Sequence, residues 1–170
     1  MCRLLERIWA PWRIGYVAGE RPDGCVFCKK IQSDEDRKNL VLHRGEHGAI
    51  LLNTYPYNSG HLMVVPNAHV GELTDLSSEA GCELWDLTDL AVRTLKKALY
   101  PQGINLGMNL GQAAGAGIGD HIHMHVVPRW SGDTNYMTTV AQTRVVPQSL
   151  EDSYDQLRPA IEELTSGRAG

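Results

Sequence analysis

Apolar positions recur with two different periods along the chain, and together they predict a mixed fold of strands and one long helix. Between residues 77 and 100, leucine and alanine recur every three or four positions. A serine precedes this run as a cap and Pro101 ends it, so we expect a helix. Apolar runs at 47–53 and 61–66 are separated by turn residues and predict a strand pair.

The rest of the chain is less regular. Residues 2–9 can form a short amphipathic helix, and Pro159 counts against a regular helix in the tail. The remaining assignments are a polar loop at 19–39, a strand at 103–110, a glycine-rich loop at 111–120, a strand at 121–129 and a weaker helix at 149–165.

The strand at 121–129 has the most informative pattern. His121, His123 and His125 alternate with apolar residues, and alternate side chains of a strand share one face. A plain core face would not contain three imidazoles. The row can hold a catalytic metal as three-histidine zinc sites do, or supply a nucleophile with flanking groups. A row of hydrogen-bonded structural histidines is the third interpretation.

The glycine-rich loop comes directly before this strand. Glycine lets backbone N–H groups approach an anion closely, which is typical of a phosphate cradle. The loop lacks the Gly-Lys-Ser/Thr ending of a Walker motif. A flexible surface loop is the alternative, but the adjacent histidines favour phosphate binding.

Cys25 and Cys28 form a Cys-x-x-Cys pair, which is half of a tetrahedral zinc site. A redox pair and two ordinary thiols are the alternatives, although no thioredoxin-like βαβ pattern surrounds the pair. Further ligands would come from one triad histidine or from His43, His47, His61 or His69.

Composition narrows the class of protein. The 170 residues suit a single domain, with an N-terminal arm at 1–24, a core at 25–130 and an extension at 131–170. With a net charge of −4, the chain lacks the excess of positive charge that is typical of proteins that bind DNA or RNA polymers. The sequence has neither a transmembrane-length apolar run nor a signal-peptide pattern, so we expect a cytoplasmic protein without a membrane partner.

The histidine motif, together with two upstream blocks, resembles the histidine triad (HIT) superfamily. The motif reads His-x-His-x-His-x-x-Pro-Arg, and the upstream blocks are Asn53…Pro56 and Gly60-His61-x-x-Val64-Val65-Pro66. Trp9-x-Pro11-x-Arg13 and Pro128-Arg129-Trp130-x-Gly132-Asp133 are similar to the bacterial branch that includes diadenosine tetraphosphate phosphorylases.

The resemblance implies an α+β fold, with an antiparallel sheet of about five strands and one long helix packed on it, plus short terminal helices. It also implies a homodimer formed through that helix. The substrate would be a nucleotide or dinucleoside polyphosphate cleaved at the α-phosphate, with His123 as nucleophile and a nucleotidyl-histidine intermediate. His125 and His61 would line the phosphate site, Asn53 would hold the ribose and Asn109 would lie beside the phosphates.

The resemblance further implies a structural zinc ion held by Cys25, Cys28, His69 and His121. The loop departs from the family pattern, because Ala116-Gly117-Ile118-Gly119 replaces a stretch that often carries Gln, Ser or Thr. Backbone N–H groups of Gly115, Ala116 and Gly117 are therefore expected to bind phosphate. The leading hypothesis is hydrolysis or transfer; phosphorolysis, phosphoramidase activity and non-catalytic nucleotide binding are the alternatives.

Overall fold

The structure, a computed structural model, describes residues 24–133 and 148–167. Its centre is one antiparallel sheet of five strands in the order β1-β2-β3-β5-β4. The strands are β1 (Val41–Arg44), β2 (Gly48–Leu52), β3 (Leu62–Pro66), β4 (Gly103–Met108) and β5 (Met124–Arg129). Strands predicted at 47–53, 61–66 and 103–110 are therefore confirmed to within two residues.

The long predicted helix is confirmed, and three more helices surround the sheet. Ser77 caps the long helix by accepting a hydrogen bond from the Ala80 N–H, and Tyr100 ends it in a left-handed conformation. In the described residues the α-helices are α1 (Val26–Gln32), α2 (Asp36–Asn39), α3 (Ser78–Leu99) and α4 (Leu150–Ser166). This is the α+β architecture that the sequence predicts.

The two faces of the sheet have different coverings because alternate side chains point to opposite sides. Leu62, Val64 and Val126 lie on the face that packs against α3 and α4. Met63 and Val65 lie on the other face, against Phe27 of α1. His125 is opposite Met63 in the β3–β5 register, so it belongs to the α1 face. The histidines therefore lie on the side of the sheet away from the long helix.

Several predictions from the sequence are wrong in detail. The described part of the predicted loop at 19–39 contains α1 and α2, and β1 was not predicted. The apolar residues of α1 are too few for a periodic pattern, and their burial against the sheet stabilises the helix. The predicted strand at 121–129 becomes a regular strand only at Met124. Before it, the Ile122 N–H donates to the Val70 carbonyl instead of to a neighbouring strand.

The tail helix is more regular than the sequence predicts. It continues through Pro159, because its apolar face packs on α3 and on β1. The Tyr154 hydroxyl donates to the Val41 carbonyl at 3.1 Å, which ties the helix to the edge of the sheet. Tertiary packing thus outweighs the unfavourable proline.

The predicted helix at 2–9 and the tryptophans near it lie outside the described residues. Within the described residues, no helix combines the length and apolar character needed to cross a membrane.

Candidate active site and metal centre

His123 occupies a buried position beside α1, with only 6% of its surface exposed. Its Nδ1 lies 3.0 Å from the His121 carbonyl oxygen. A carbonyl can only accept, so Nδ1 carries the proton and Nε2 has the lone pair. Burial lowers the pKa of His123, which keeps the ring neutral at neutral pH. The hydrogen bond therefore prepares Nε2 as a nucleophile.

Phe27 fixes the ring of His123 from one side. The ring centroids are 4.9 Å apart, and Phe27 also meets His121 edge-on at 5.5 Å. It is the one phenylalanine in the sequence and lies between the two cysteines of α1. Sequence reasoning did not select it, because a single aromatic residue in a short helix carries no periodic pattern.

His61 and His125 form a directed chain of hydrogen bonds. The Tyr57 N–H donates to His61 Nδ1 at 3.1 Å, so the proton of His61 is on Nε2. That nitrogen is 3.0 Å from His125 Nδ1, which must then accept. The proton of His125 is consequently on Nε2, next to His123, whose ring centroid is 4.8 Å away. The Nε2 atoms of these two adjacent rings therefore differ, because that of His125 is a donor and that of His123 has a lone pair.

Burial also keeps this second pair neutral. It lowers the pKa of His61 to about 3, with further contributions from the neighbouring His125 and His123. It lowers the pKa of His125 to about 4, with a smaller contribution from His123. Phosphate binding at neutral pH therefore depends on N–H donors in this pair and not on imidazolium charge.

The turn before β3 positions His61 in the site. The His61 N–H donates to the Asn58 carbonyl, and the Asn58 side chain donates to the Pro128 carbonyl at 3.0 Å and to Asp133 at 2.9 Å. These bonds tie the turn to the end of β5. Asn58 was not predicted from the sequence, because asparagine in a turn is ordinary.

Two of the predicted substrate-binding residues, Asn53 and Asn109, lie beside His61 and His125. The Asn53 side-chain amide lies 3.3 Å from His61 Nδ1, and Asn109 follows the end of β4 beside His125. In the loop, Gly115 and Ala116 donate their N–H groups to Gln112 and Gly111 carbonyls. Among the described residues, no acceptor is recorded for the Gly117 N–H.

The four predicted metal ligands come together at the edge of this site. One ligand atom from each of Cys25, Cys28, His69 and His121 lies within 4.8 Å of the others. His121 Nδ1 is 3.3 Å from Cys25 Sγ, 3.6 Å from Cys28 Sγ and 3.3 Å from His69 Nδ1. Bonds of about 2.0–2.3 Å to a tetrahedral zinc ion give ligand separations of this size.

The surroundings of the cluster also suit a metal. His121 Nε2 lies 2.9 Å from the Pro66 carbonyl, so the proton is on Nε2 and Nδ1 faces the cysteines with its lone pair. Burial and the neighbouring Cys25 raise the pKa of the Cys28 thiol. A bound cation would hold the Cys28 sulfur as a thiolate. The residues present fit a closed zinc site.

Backbone packing brings the two halves of the cluster together. The chain around Gly71 passes so close to Gly119 that an added Cβ would lie 3.0 Å from the Gly119 oxygen. This approach places His69 beside His121 and leaves Asp120 3.8 Å from His69 Nε2. Only His121 of the triad joins the cluster, so the three imidazoles do not form the three-histidine metal site considered above.

Comparisons with known proteins agree with this geometry. The HIT domain model matches residues 34–132. An AP-4-A phosphorylase from Mycobacterium tuberculosis is 41% identical over 157 residues, which cover 88% of this chain and 80% of the relative. An adenosine 5'-monophosphoramidase from Schizosaccharomyces pombe is 29% identical over 105 residues, covering 62% of this chain and 74% of that protein.

The fold comparison adds a solved structure. The crystal structure of a Zn-bound histidine triad family protein from Mycobacterium smegmatis superimposes with a TM-score of 0.69 at 30% identity, covering 85% of this chain and 97% of that chain. The fold and the histidine row define the class, and the chain belongs to the HIT domain family.

Proposed function

We propose that this HIT protein is an enzyme that cleaves dinucleoside polyphosphates at the α-phosphate through a nucleotidyl intermediate on His123. The observation that carries the proposal is the opposite tautomers of two adjacent histidines. His123 offers a lone pair on Nε2, and His125 offers a proton on Nε2. A nucleophile beside a proton donor is what displacement at phosphorus requires.

The first step transfers the nucleotide to the enzyme. The lone pair of His123 Nε2 forms a bond to the α-phosphorus while the bond from phosphorus to the bridging oxygen breaks. The electron pair of the broken bond stays on the departing oxygen, which leaves as a polyphosphate oxyanion and accepts a hydrogen bond from His125 Nε2–H. His61 keeps that proton on Nε2 by donating to His125 Nδ1. The His121 carbonyl stabilises the positive charge on the substituted His123 ring.

The second step reverses the roles. A water molecule or a phosphate ion attacks the phosphorus, and the bond to His123 Nε2 breaks with its electron pair returning to that nitrogen. The proton of an attacking water is released to solvent. The Gly117 N–H of the loop would donate to the non-bridging oxygens. Asn53 would hold the ribose and Asn109 would lie beside the phosphates.

The molecule that takes the nucleotide from His123, water or phosphate, distinguishes a hydrolase from a phosphorylase. Hydrolysis needs only the residues of the two steps above and no further binding site. Phosphorolysis is the second candidate, because the 41% identical relative is an AP-4-A phosphorylase. The phosphoramidase hypothesis has the support of the more distant relative from Schizosaccharomyces pombe.

Product analysis tests these alternatives. We expect purified protein incubated with diadenosine tetraphosphate to yield AMP and ATP without phosphate if it is a hydrolase. ADP and ATP formed only when phosphate is present would identify a phosphorylase. Binding of AMP without turnover of the dinucleotide or of adenosine 5'-phosphoramidate, under either condition, would overturn the proposed enzymatic function.

We also propose that Cys25, Cys28, His69 and His121 hold a structural zinc ion. The support is the set of ligand separations and the tautomer of His121, together with the Zn-bound relative of the same fold. Four protein ligands leave no open position for substrate or water, so zinc would stabilise this end of the site and would not take part in the reaction.

A further inference from the structure

Within the residues that the structure describes, helix α1 covers one end of its face of the sheet. Helix α1 packs over β2 and β3, whereas β4 and β5 leave an open cleft of about 290 Å³ beside the histidines. His125, Val127 and Arg129 of β5 stand opposite Gly107, Asn105 and Gly103 of β4, so these residues share one face. The cleft is lined by Asn105, Gly107, His125, Val127, Arg129 and Tyr57.

The cleft lies on the side of His125, which carries the proposed donor. In a displacement at phosphorus, the leaving oxygen departs roughly in line with the nucleophile and on the opposite side of the phosphorus. The leaving group must also reach the proton of His125. Both requirements direct it away from His123 and α1, toward the open part of the sheet.

We infer that this cleft is the binding site for the leaving nucleotide, the part of a dinucleoside polyphosphate that is not transferred to His123. The inference rests on the proposed function and adds to it the place where the leaving nucleotide binds. A leaving group as large as a nucleotide fills the cleft, whereas a leaving group as small as ammonia does not. The cleft would therefore select dinucleotides over phosphoramidates.

Arg129 provides fixed donors at the far end of the cleft. Its Nε and Nη2 donate to Asp133 at 2.6 and 3.0 Å, and its Nη1 donates to Asn105 at 3.0 Å. A guanidinium group has five N–H donors, so two remain beyond these three bonds within the described residues. They are held in place without a substrate and can donate to phosphate oxygens of the leaving group.

Tyr57 provides an aromatic surface at the near end. Its ring packs against His61 at 4.7 Å and His125 at 5.7 Å, and the residue is 42% exposed. A partly exposed aromatic ring next to two histidines is the kind of side chain against which a base or ribose packs. The volume of the cleft is near the lower end of the range for ligand sites, ~300–1,000 Å³, which suits one nucleotide.

Gly107 allows a direct test, because a Cβ at this position would meet no other atom within 4 Å. Gly107→Leu should fill the cleft without a clash inside the fold. We expect the ratio of kcat/KM for diadenosine tetraphosphate to that for adenosine 5'-phosphoramidate to fall by at least about 10-fold. Gly107→Ala, the matched smaller change, should lower this ratio less.

Asn105→Ala provides a second variant on an exposed position, in case Gly107→Leu does not fold. This substitution removes the side-chain acceptor of one Arg129 hydrogen bond. It should raise KM for the dinucleotide more than KM for the phosphoramidate. An unchanged ratio in the folded variants would overturn the inference while leaving the proposed function intact. Failure of the unaltered protein to turn over either substrate would overturn the proposed function itself.

Discussion

In the candidate site, the hydrogen-bond partners of His61, His121, His123 and His125 decide the role of each ring. Carbonyl oxygens fix the protons of His121 on Nε2 and of His123 on Nδ1. A backbone N–H group fixes the proton of His61 on Nε2, which in turn fixes that of His125. The alternation of the sequence predicts that the triad histidines share a face, but it contains no information about these partners.

The neutral state of His61 has a consequence for stability. Its pKa is about 3 in the fold, against ~6.5 in an unfolded chain. Below pH 6.5 the unfolded chain therefore binds more protons than the folded chain, and the free energy of unfolding falls as the pH falls. Between pH 7 and pH 5 this group accounts for a loss of up to ~2 kcal/mol.

His61→Asn should remove this contribution. We expect its free energy of unfolding in urea to decrease less between pH 7 and pH 5 than that of the unaltered protein. Zinc release at low pH affects both proteins, so the comparison is repeated with a chelator present. Equal pH dependence in the two proteins would show that His61 is not held neutral by its burial.

At the scale of elements, α1 shows where sequence reasoning was insufficient. The Cys pair was correctly selected, but the segment was assigned to a loop. The helix exists because Phe27 is buried between the sheet and the histidines, and a contact with residues 94 or more positions away leaves no local pattern. In contrast, α3 was predicted well because its own sequence has a capping serine, apolar residues at helical spacing and a proline after its end.

The cluster of Cys25, Cys28, His69 and His121 joins α1 to the segment before β5, and loss of the proposed zinc ion should therefore destabilise both. We expect one zinc ion per chain by elemental analysis, and a reduced zinc content and a lower Tm for Cys28→Ser. Cys82→Ser is the matched control, because Cys82 is exposed on α3 and outside the cluster. A full zinc content and an unchanged Tm in Cys28→Ser would contradict the proposed site.

At the scale of the whole molecule, the sequence predicted the fold class, the long helix and four of the five strands. It also predicted which residues would gather at the metal cluster, by way of the family resemblance. It did not predict Phe27, Tyr57, Asn58 or the cleft between β4 and β5. These features depend on which side of the sheet each helix covers, and that is a property of the assembled layers.

The homodimer implied by the resemblance is a prediction at this scale. Trp85 of α3 is 63% exposed, and β4 is an edge strand. An exposed tryptophan and an open strand edge are typical of an interaction surface. We expect light scattering to give twice the mass of one chain, and Trp85→Glu to shift the protein toward one chain. A single-chain mass for the unaltered protein would contradict the prediction.

The central claim is that His123 carries the nucleotide during the reaction. The most direct measurement is mass spectrometry of protein mixed with diadenosine tetraphosphate and stopped in base within the first turnover. We predict one adenylyl group, located on His123 in the peptide that contains the triad. His123→Asn should show no such group and should lose at least ~10³-fold in kcat. Undiminished turnover in His123→Asn, or an adenylyl group on another residue, would contradict the account.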